Sequence, residues 1–300
     1  MTTAKLGGSQ QRGRVFRLHD YWTLTKPEVN FLVLVSTLVG FYLGSTGALH
    51  FLLLLSTLFG TLLVASGTGT LNQYMERSFD AQMRRTAHRP IPAGRVTPNE
   101  ALIFGLVLAA SGGLFLAVMV NALASALALL TLGSYLVVYT PLKRRTAVCT
   151  WVGAIPGAMP PLIGWAAARG DLGLGAWVLY AMLFLWQFPH FMAIAWMYRE
   201  DYSRAGYRML PLSDRAGRAM AAHVLAFCVL LIPVSLVPSL LGQAGMIYLW
   251  GAMILGGGLL YYGIRLALAR SNSLAKQLLM ASVVYLPLVF ALLMLDKVSI

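Results

Sequence analysis

The feature that most constrains this chain is a succession of apolar, almost uncharged stretches, each about 20 residues long, separated by short breaks. A bilayer's hydrocarbon core is about 30 Å thick, and a helix rising about 1.5 Å per residue crosses it in about 20 residues. With that ruler the sequence divides into nine candidate spans, at roughly 30–48, 51–75, 100–120, 122–140, 148–168, 174–198, 219–240, 244–268 and 277–296. Turn or charge chemistry marks breaks at Gly44–Gly47, Asn121, Lys143–Arg145, Arg169–Asp171 and Ser271–Ser273. Charged residues make up 11% of the chain, against about 25% in a soluble domain, so they could not cover a globular surface. The chain reads as an all-α integral membrane protein, a bundle of nine transmembrane helices. Cys149 and Cys228 lie in apolar runs and offer neither a disulfide framework nor metal-ligand spacing.

Orientation follows from where Lys and Arg fall. With the N-terminus inside, 21 of the 23 cations lie in inner segments, and only Arg169 and Lys297 lie outside. The alternation therefore predicts an N-in, C-out bundle. Residues 1–25 read as a basic cytoplasmic arm without the apolar core and cleavage site of a signal peptide. Residues 26–300 read as a single transmembrane domain. The arm carries no obvious organelle-targeting extension, which points to the inner (plasma) membrane of a bacterium. No nucleic-acid partner is expected.

Two inner loops, after the second and sixth spans, are long and mix carboxylates with Arg, and long polar loops are uncommon unless functional. The second span ends in Asn72, Glu76 and Asp80, spaced i, i+4, i+8 on one helical face. Such oxygen donors suit a hard cation such as Mg²⁺, which bridges to phosphate oxygens. Arg84, Arg85, His88 and Arg89 follow at once, so the segment holds the parts of a metal-plus-diphosphate site. The bland alternative is a solvated helix end, with Glu76 and Asp80 paired to Arg77, Arg84 or Arg85. The cost of ionisable groups near a membrane favours function.

The fourth span ends Tyr139-Thr140-Pro141-Leu142-Lys143-Arg144-Arg145. Alone, those cations are ordinary topology anchors. The fifth span, rich in Gly and Pro (Gly153, Pro156, Gly157, Pro160, Pro161), is expected to be broken or kinked. The sixth carries Trp186, Gln187, Pro189 and His190, and leads to Asp201. Eleven residues is close to three turns, so His190 and Asp201 share a side if the helix runs straight. Gln187 and the aromatics would line a pocket for a large flat ligand. The bland reading of His190 is a hydrogen bond to a neighbouring helix.

These motifs together resemble the UbiA-type intramembrane prenyltransferases and, within them, the protohaem IX farnesyltransferases (haem O synthases). The resemblance rests on Met83-x-Arg85-Thr86-x-x-Arg89-Pro90, Tyr139 to Arg144, Gly153-Ala154-Ile155-Pro156-Gly157 through Trp165, Trp186-Gln187-x-Pro189-His190-Phe191, and Asp201-Tyr202-x-x-Ala205-Gly206-x-x-Met209-Leu210-Pro211. Leu24-Thr25-Lys26-Pro27 also fits, and the match runs from about residue 20 to the C-terminus. Two departures stand out. Glu76 replaces a frequent Asp, and the second acidic motif is reduced to Asp201 with adjacent Glu200.

The resemblance implies a UbiA-like fold and farnesyl transfer from farnesyl diphosphate to a vinyl group of haem B, with hydration, giving haem O. It implies Mg²⁺ as cofactor, held by Asn72, Glu76, Asp80 and Asp201, with the diphosphate gripped by Arg85, Arg89, Lys143 and Arg144. Haem B is a substrate, placed by His190, Trp186, Gln187 and Tyr139. The implied partners are the lipid bilayer and haem A synthase or terminal oxidase subunits, with the active face cytoplasmic. Rival readings are a UbiA-type enzyme with an aromatic or quinone acceptor, a carrier of haem or anionic lipids, and a non-catalytic oxidase assembly factor.

Overall fold

The computed structural model describes residues 17–208, 210 and 217–298, and these are helical almost throughout. Eight helices are long and apolar enough to cross a membrane: α1 (Pro27–Gly44), α2 (Phe51–Asp80), α3 (Pro98–Met119), α4 (Ala122–Leu142), α7 (Leu174–Met197), α9 (Arg218–Leu240), α10 (Met246–Ala269) and α11 (Asn272–Leu295). The fifth predicted span is present as two short helices, α5 (Cys149–Gly157) and α6 (Pro160–Arg169). Pro160 and Pro161 lack the N–H groups that would continue the ladder, so Pro160 starts a new helix instead. Short α8 (Arg199–Arg204) follows α7. Most of the N-terminal arm, and Met209 and Pro211 of the last motif, lie outside the described residues.

Local chemistry sets several boundaries. Pro27 occupies the first turn of α1, and Thr97 and Glu100 close a capping box on α3. The loop from Thr146 to Val148 ends in α5 without a side-chain cap. Within α4, residues Ser134–Tyr139 widen into a π-helical turn. Here Thr140 Oγ1 donates to the Tyr135 carbonyl at 2.9 Å.

Without a hydrophobic drive between lipid-bathed helices, close backbone packing and buried hydrogen bonds hold the bundle. Helices α1 and α6 touch backbone to backbone. A Cβ on Gly40 would lie 2.0 Å from the Pro161 carbonyl oxygen, and one on Gly164 would lie 1.9 Å from that of Thr37. Helices α9, α10 and α11 share a polar knot, with Tyr248 donating to the Ser235 carbonyl at 2.6 Å and Ser235 Oγ 2.8 Å from Tyr285 Oη. On the opposite side of the sequence, Lys297 Nζ donates to the carbonyls of Tyr42 and Ser45, both at 2.8 Å, tying the segment after α11 to the C-terminal end of α1. Helix α7 lies within this frame, against α5, α6, α9 and α11.

Candidate active site

Helix α2 continues unbroken through Asp80, so Asn72, Glu76 and Asp80 are carried by one rigid element. Glu76, Asp80 and Asp201 are only 6%, 1% and 8% exposed, so their charges need partners. Lys143 Nζ lies 2.9 and 3.1 Å from the two Glu76 carboxylate oxygens. Tyr207 Oη donates to Glu76 Oε1 at 3.0 Å, and Asn72 Nδ2 donates to Oε2 at 3.0 Å. Lys26 Nζ donates to Asn72 Oδ1 at 2.7 Å. One turn on, Arg89 pairs with Asp80 at 2.7 Å.

The bland reading named the wrong partners. Glu76 and Asp80 do not pair with Arg77, Arg84 or Arg85 but with Lys143 and Arg89. Arg77 turns to the Tyr74 carbonyl and ring. The reason is geometric: Arg77 lies one residue beyond Glu76, about 100° around the helix, and neighbouring positions do not face one another.

Asp201 reaches the same end of the bundle by another route. It pairs with Arg204 and accepts from the Arg85 backbone N–H at 3.4 Å. A small apolar cluster of Met83, Tyr202, Ala205 and Tyr207, flanked by Phe79 and Tyr198, seals the loop after α2 against α8. Arg85 lies over the Tyr198 and Tyr202 rings, and Arg144 lies 4.2 Å over Phe79. Both arginines are thus exposed yet held in place.

Electrostatics at this end favour an added anion. Burial alone would lower the Lys143 pKa, but its charge interactions with Tyr139 and the Glu76 carboxylate raise it well above the usual lysine value. Burial, and next the Arg89 guanidinium, push Lys26 down to about 7. The Tyr207 hydroxyl is pushed up by burial and by Glu76, so it stays a donor. An arriving anion would relieve the crowding of Lys26, Arg89 and Lys143.

Four oxygen donors, Asn72 Oδ1 and the carboxylates of Glu76, Asp80 and Asp201, fit the hard-donor chemistry of Mg²⁺. Each already meets a cationic side chain, Lys26, Lys143, Arg89 or Arg204, standing where positive charge is required. Among the described residues, no three His, Cys, Asp or Glu side chains converge tightly enough to hold a metal by themselves.

The expected haem residues divide. Tyr139 belongs to the charged end, under Lys143 and against Gly153. Gln187 turns to α5, donating to the Ala154 carbonyl at 3.1 Å. Trp186 and His190, one turn apart, stack with centroids 4.7 Å apart, and both bond to Ser282 of α11. The straight three-turn projection from His190 to Asp201 does not hold, because the chain leaves helical geometry at Tyr198 and restarts as α8. No local sequence signal marks Tyr207 or Ser282. Lys26 is marked only as part of a motif; the Lys-Pro step before α1 was the available signal.

Known proteins bear on these arrangements. A model of the UbiA prenyltransferase family matches residues 33–290. A protoheme IX farnesyltransferase of Solibacter usitatus (strain Ellin6076) is 50% identical over 289 residues, covering 93% of this chain and 99% of its own. One from Salinibacter ruber (strain DSM 13855 / M31) is 47% identical over 279 residues, covering 93% and 99%. Among solved structures, a digeranylgeranylglyceryl phosphate synthase superposes with a TM-score of 0.77 at 17% identity, over 93% of this chain and 98% of that one. A UbiA homolog from Archaeoglobus fulgidus bound to GPP and Mg²⁺ gives a TM-score of 0.63 at 16% identity, over 91% and 99%.

Proposed function

The chain belongs to the UbiA prenyltransferase family, and from that premise we propose that it joins farnesyl diphosphate to haem B, giving haem O. Relatives carrying the name protoheme IX farnesyltransferase at 50% and 47% identity support this acceptor over a quinone or other aromatic. The single observation that carries the reaction type is the buried Glu76, gripped by Lys143, Tyr207 and Asn72 beside the Asp80–Arg89 pair.

Diphosphate departs only when its charge is neutralised. Asn72, Glu76, Asp80 and Asp201 would hold Mg²⁺, which when bound supplies positive charge to the diphosphate oxygens. The side chains now paired to those donors are then free to take the diphosphate: Lys143 and Arg89 directly, with Arg85 and Arg144 at the mouth. The C1–O bond of the farnesyl group breaks, the vinyl carbon of haem attacks the allylic cation, and water captures the porphyrin-side cation with loss of a proton. Tyr139 and the aromatic cluster around Tyr202 exclude water from the first cation. His190 orients haem as an iron ligand, with Trp186 stacked behind it, while Gln187 fixes the wall that α5 presents.

Residues 26–300 form the catalytic domain, with residues 1–25 a basic cytoplasmic arm. The protein sits N-in, C-out in a bacterial inner membrane with its charged end cytoplasmic, and it passes haem O to haem A synthase or terminal oxidase subunits. Purified protein, farnesyl diphosphate, haem B and Mg²⁺ are the test. Mass spectrometry should find haem B enlarged by one farnesyl group and one hydroxyl. Unaltered haem there, with a quinone or an aromatic acid prenylated when supplied in place of haem B, would overturn the acceptor.

A further inference from the structure

His190 is held by a residue far from it in sequence. Its Nδ1 lies 2.9 Å from Ser282 Oγ, ninety-two residues away on α11, and Ser282 is wholly buried. The same serine accepts Trp186 Nε1–H at its backbone carbonyl, at 2.8 Å. It also donates its own hydroxyl proton to the Leu279 carbonyl at 2.7 Å. A serine hydroxyl has one proton, and a carbonyl can only accept. With that proton committed to Leu279, the bond between Ser282 and His190 must use a proton on Nδ1. Neutral imidazole then carries its lone pair on Nε2. That atom has no hydrogen-bond partner among the described residues and is not among the atoms sealed from the surroundings.

We propose that Ser282 is a positioning residue, which selects the His190 tautomer whose Nε2 can ligate the iron of a metalloporphyrin. The inference rests on the haem reading above. A hydrogen bond to the far nitrogen of a metal-ligating imidazole fixes both its tautomer and its ring orientation. Here the Trp186 stack adds a second constraint on the ring plane, and both constraints converge on one buried serine of α11. A histidine that only packs against α11 would make the same bond; what sets this one apart is the Nε2 left without a partner among the described residues.

The test titrates ferrous and ferric haem B into the purified full-length protein and reads the Soret band and the iron–histidine stretch by resonance Raman. His190→Ala should abolish the stretch, and added imidazole should restore a ligated spectrum. Ser282→Ala should weaken haem affinity about 10- to 100-fold and shift the stretch, while Ser282→Thr, which keeps the hydroxyl, should behave as the parent. Should the alanine variant fail to accumulate, Ser282→Cys keeps the volume, offers only a weak acceptor, and should shift the same signals. If Ser282→Ala and Ser282→Cys match the parent while His190→Ala loses the stretch, the tautomer role is overturned and the ligand reading stands. If His190→Ala keeps the stretch, the ligand reading itself fails and takes this inference with it.

Discussion

At the end of α2 every carboxylate meets a cation, whereas along α7 the polar side chains meet only neutral partners. Glu76 pairs with Lys143 and Asp80 with Arg89, while Gln187 bonds a carbonyl and His190 a hydroxyl. The difference separates two physical tasks. The charged end must hold and then exchange opposite charges, so its groups are interchangeable in partner and costly to leave alone. The neutral end must present a surface of fixed shape, so its groups are locked by directional bonds of modest individual worth.

The sharpest way to break that comparison is Glu76→Gln. It leaves Lys143 buried without its counter-charge, so stability should fall by about 3–5 kcal/mol, and turnover should fall by about 100-fold or more. Thermal unfolding in detergent and product mass spectrometry read the two effects. If turnover survives the stability loss, the charged end is not where diphosphate reacts. Asp80→Asn should cost a similar 100-fold or so in Mg²⁺-dependent turnover, with little loss of folding because Arg89 can turn to solvent. A Mg²⁺ titration of the variant in membranes checks it; full activity at the parent's Mg²⁺ concentration would reject Asp80 as a ligand.

Gly157→Ala probes the other side. A Cβ there would lie 2.0 Å from Gln187 Oε1, so Gln187 must move, at about 1–3 kcal/mol. Haem binding should weaken while farnesyl diphosphate affinity stays within about twofold, since distant sites act independently; isothermal titration of each substrate decides. Arg144→Ala should have the smallest effect. It is an exposed cation over Phe79, and its loss should raise KM for farnesyl diphosphate about fivefold or less, an effect that disappears in high salt.

The charged end was largely legible in the sequence because helical spacing alone puts Asn72, Glu76 and Asp80 on one face. Its partners were less so. Lys143 is 67 residues from Glu76 and Tyr207 is 131 away, and only the packing of α2, α4 and the loop after α8 brings them in. Breakage of the fifth span follows from the adjacent Pro160 and Pro161, which remove two successive ladder N–H groups, whereas the single Pro189 leaves α7 continuous. The break at Tyr198 has no such marker, since no Pro or Gly sits there, and the projection from His190 to Asp201 failed for that reason. Ser282 was invisible: one serine in an apolar helix carries no sign of which imidazole it meets.

The tie from Lys297 to the carbonyls of Tyr42 and Ser45 bears on how the protein is made. It joins groups 255 and 252 residues apart, so the carbonyls at the end of α1 can meet Lys297 only after α11 has been made. Synthesis order therefore makes this the closing stitch of assembly. A chain stalled in α10 or α11 would lack this tie, and α1 would then be held chiefly by its packing on α6 and α2.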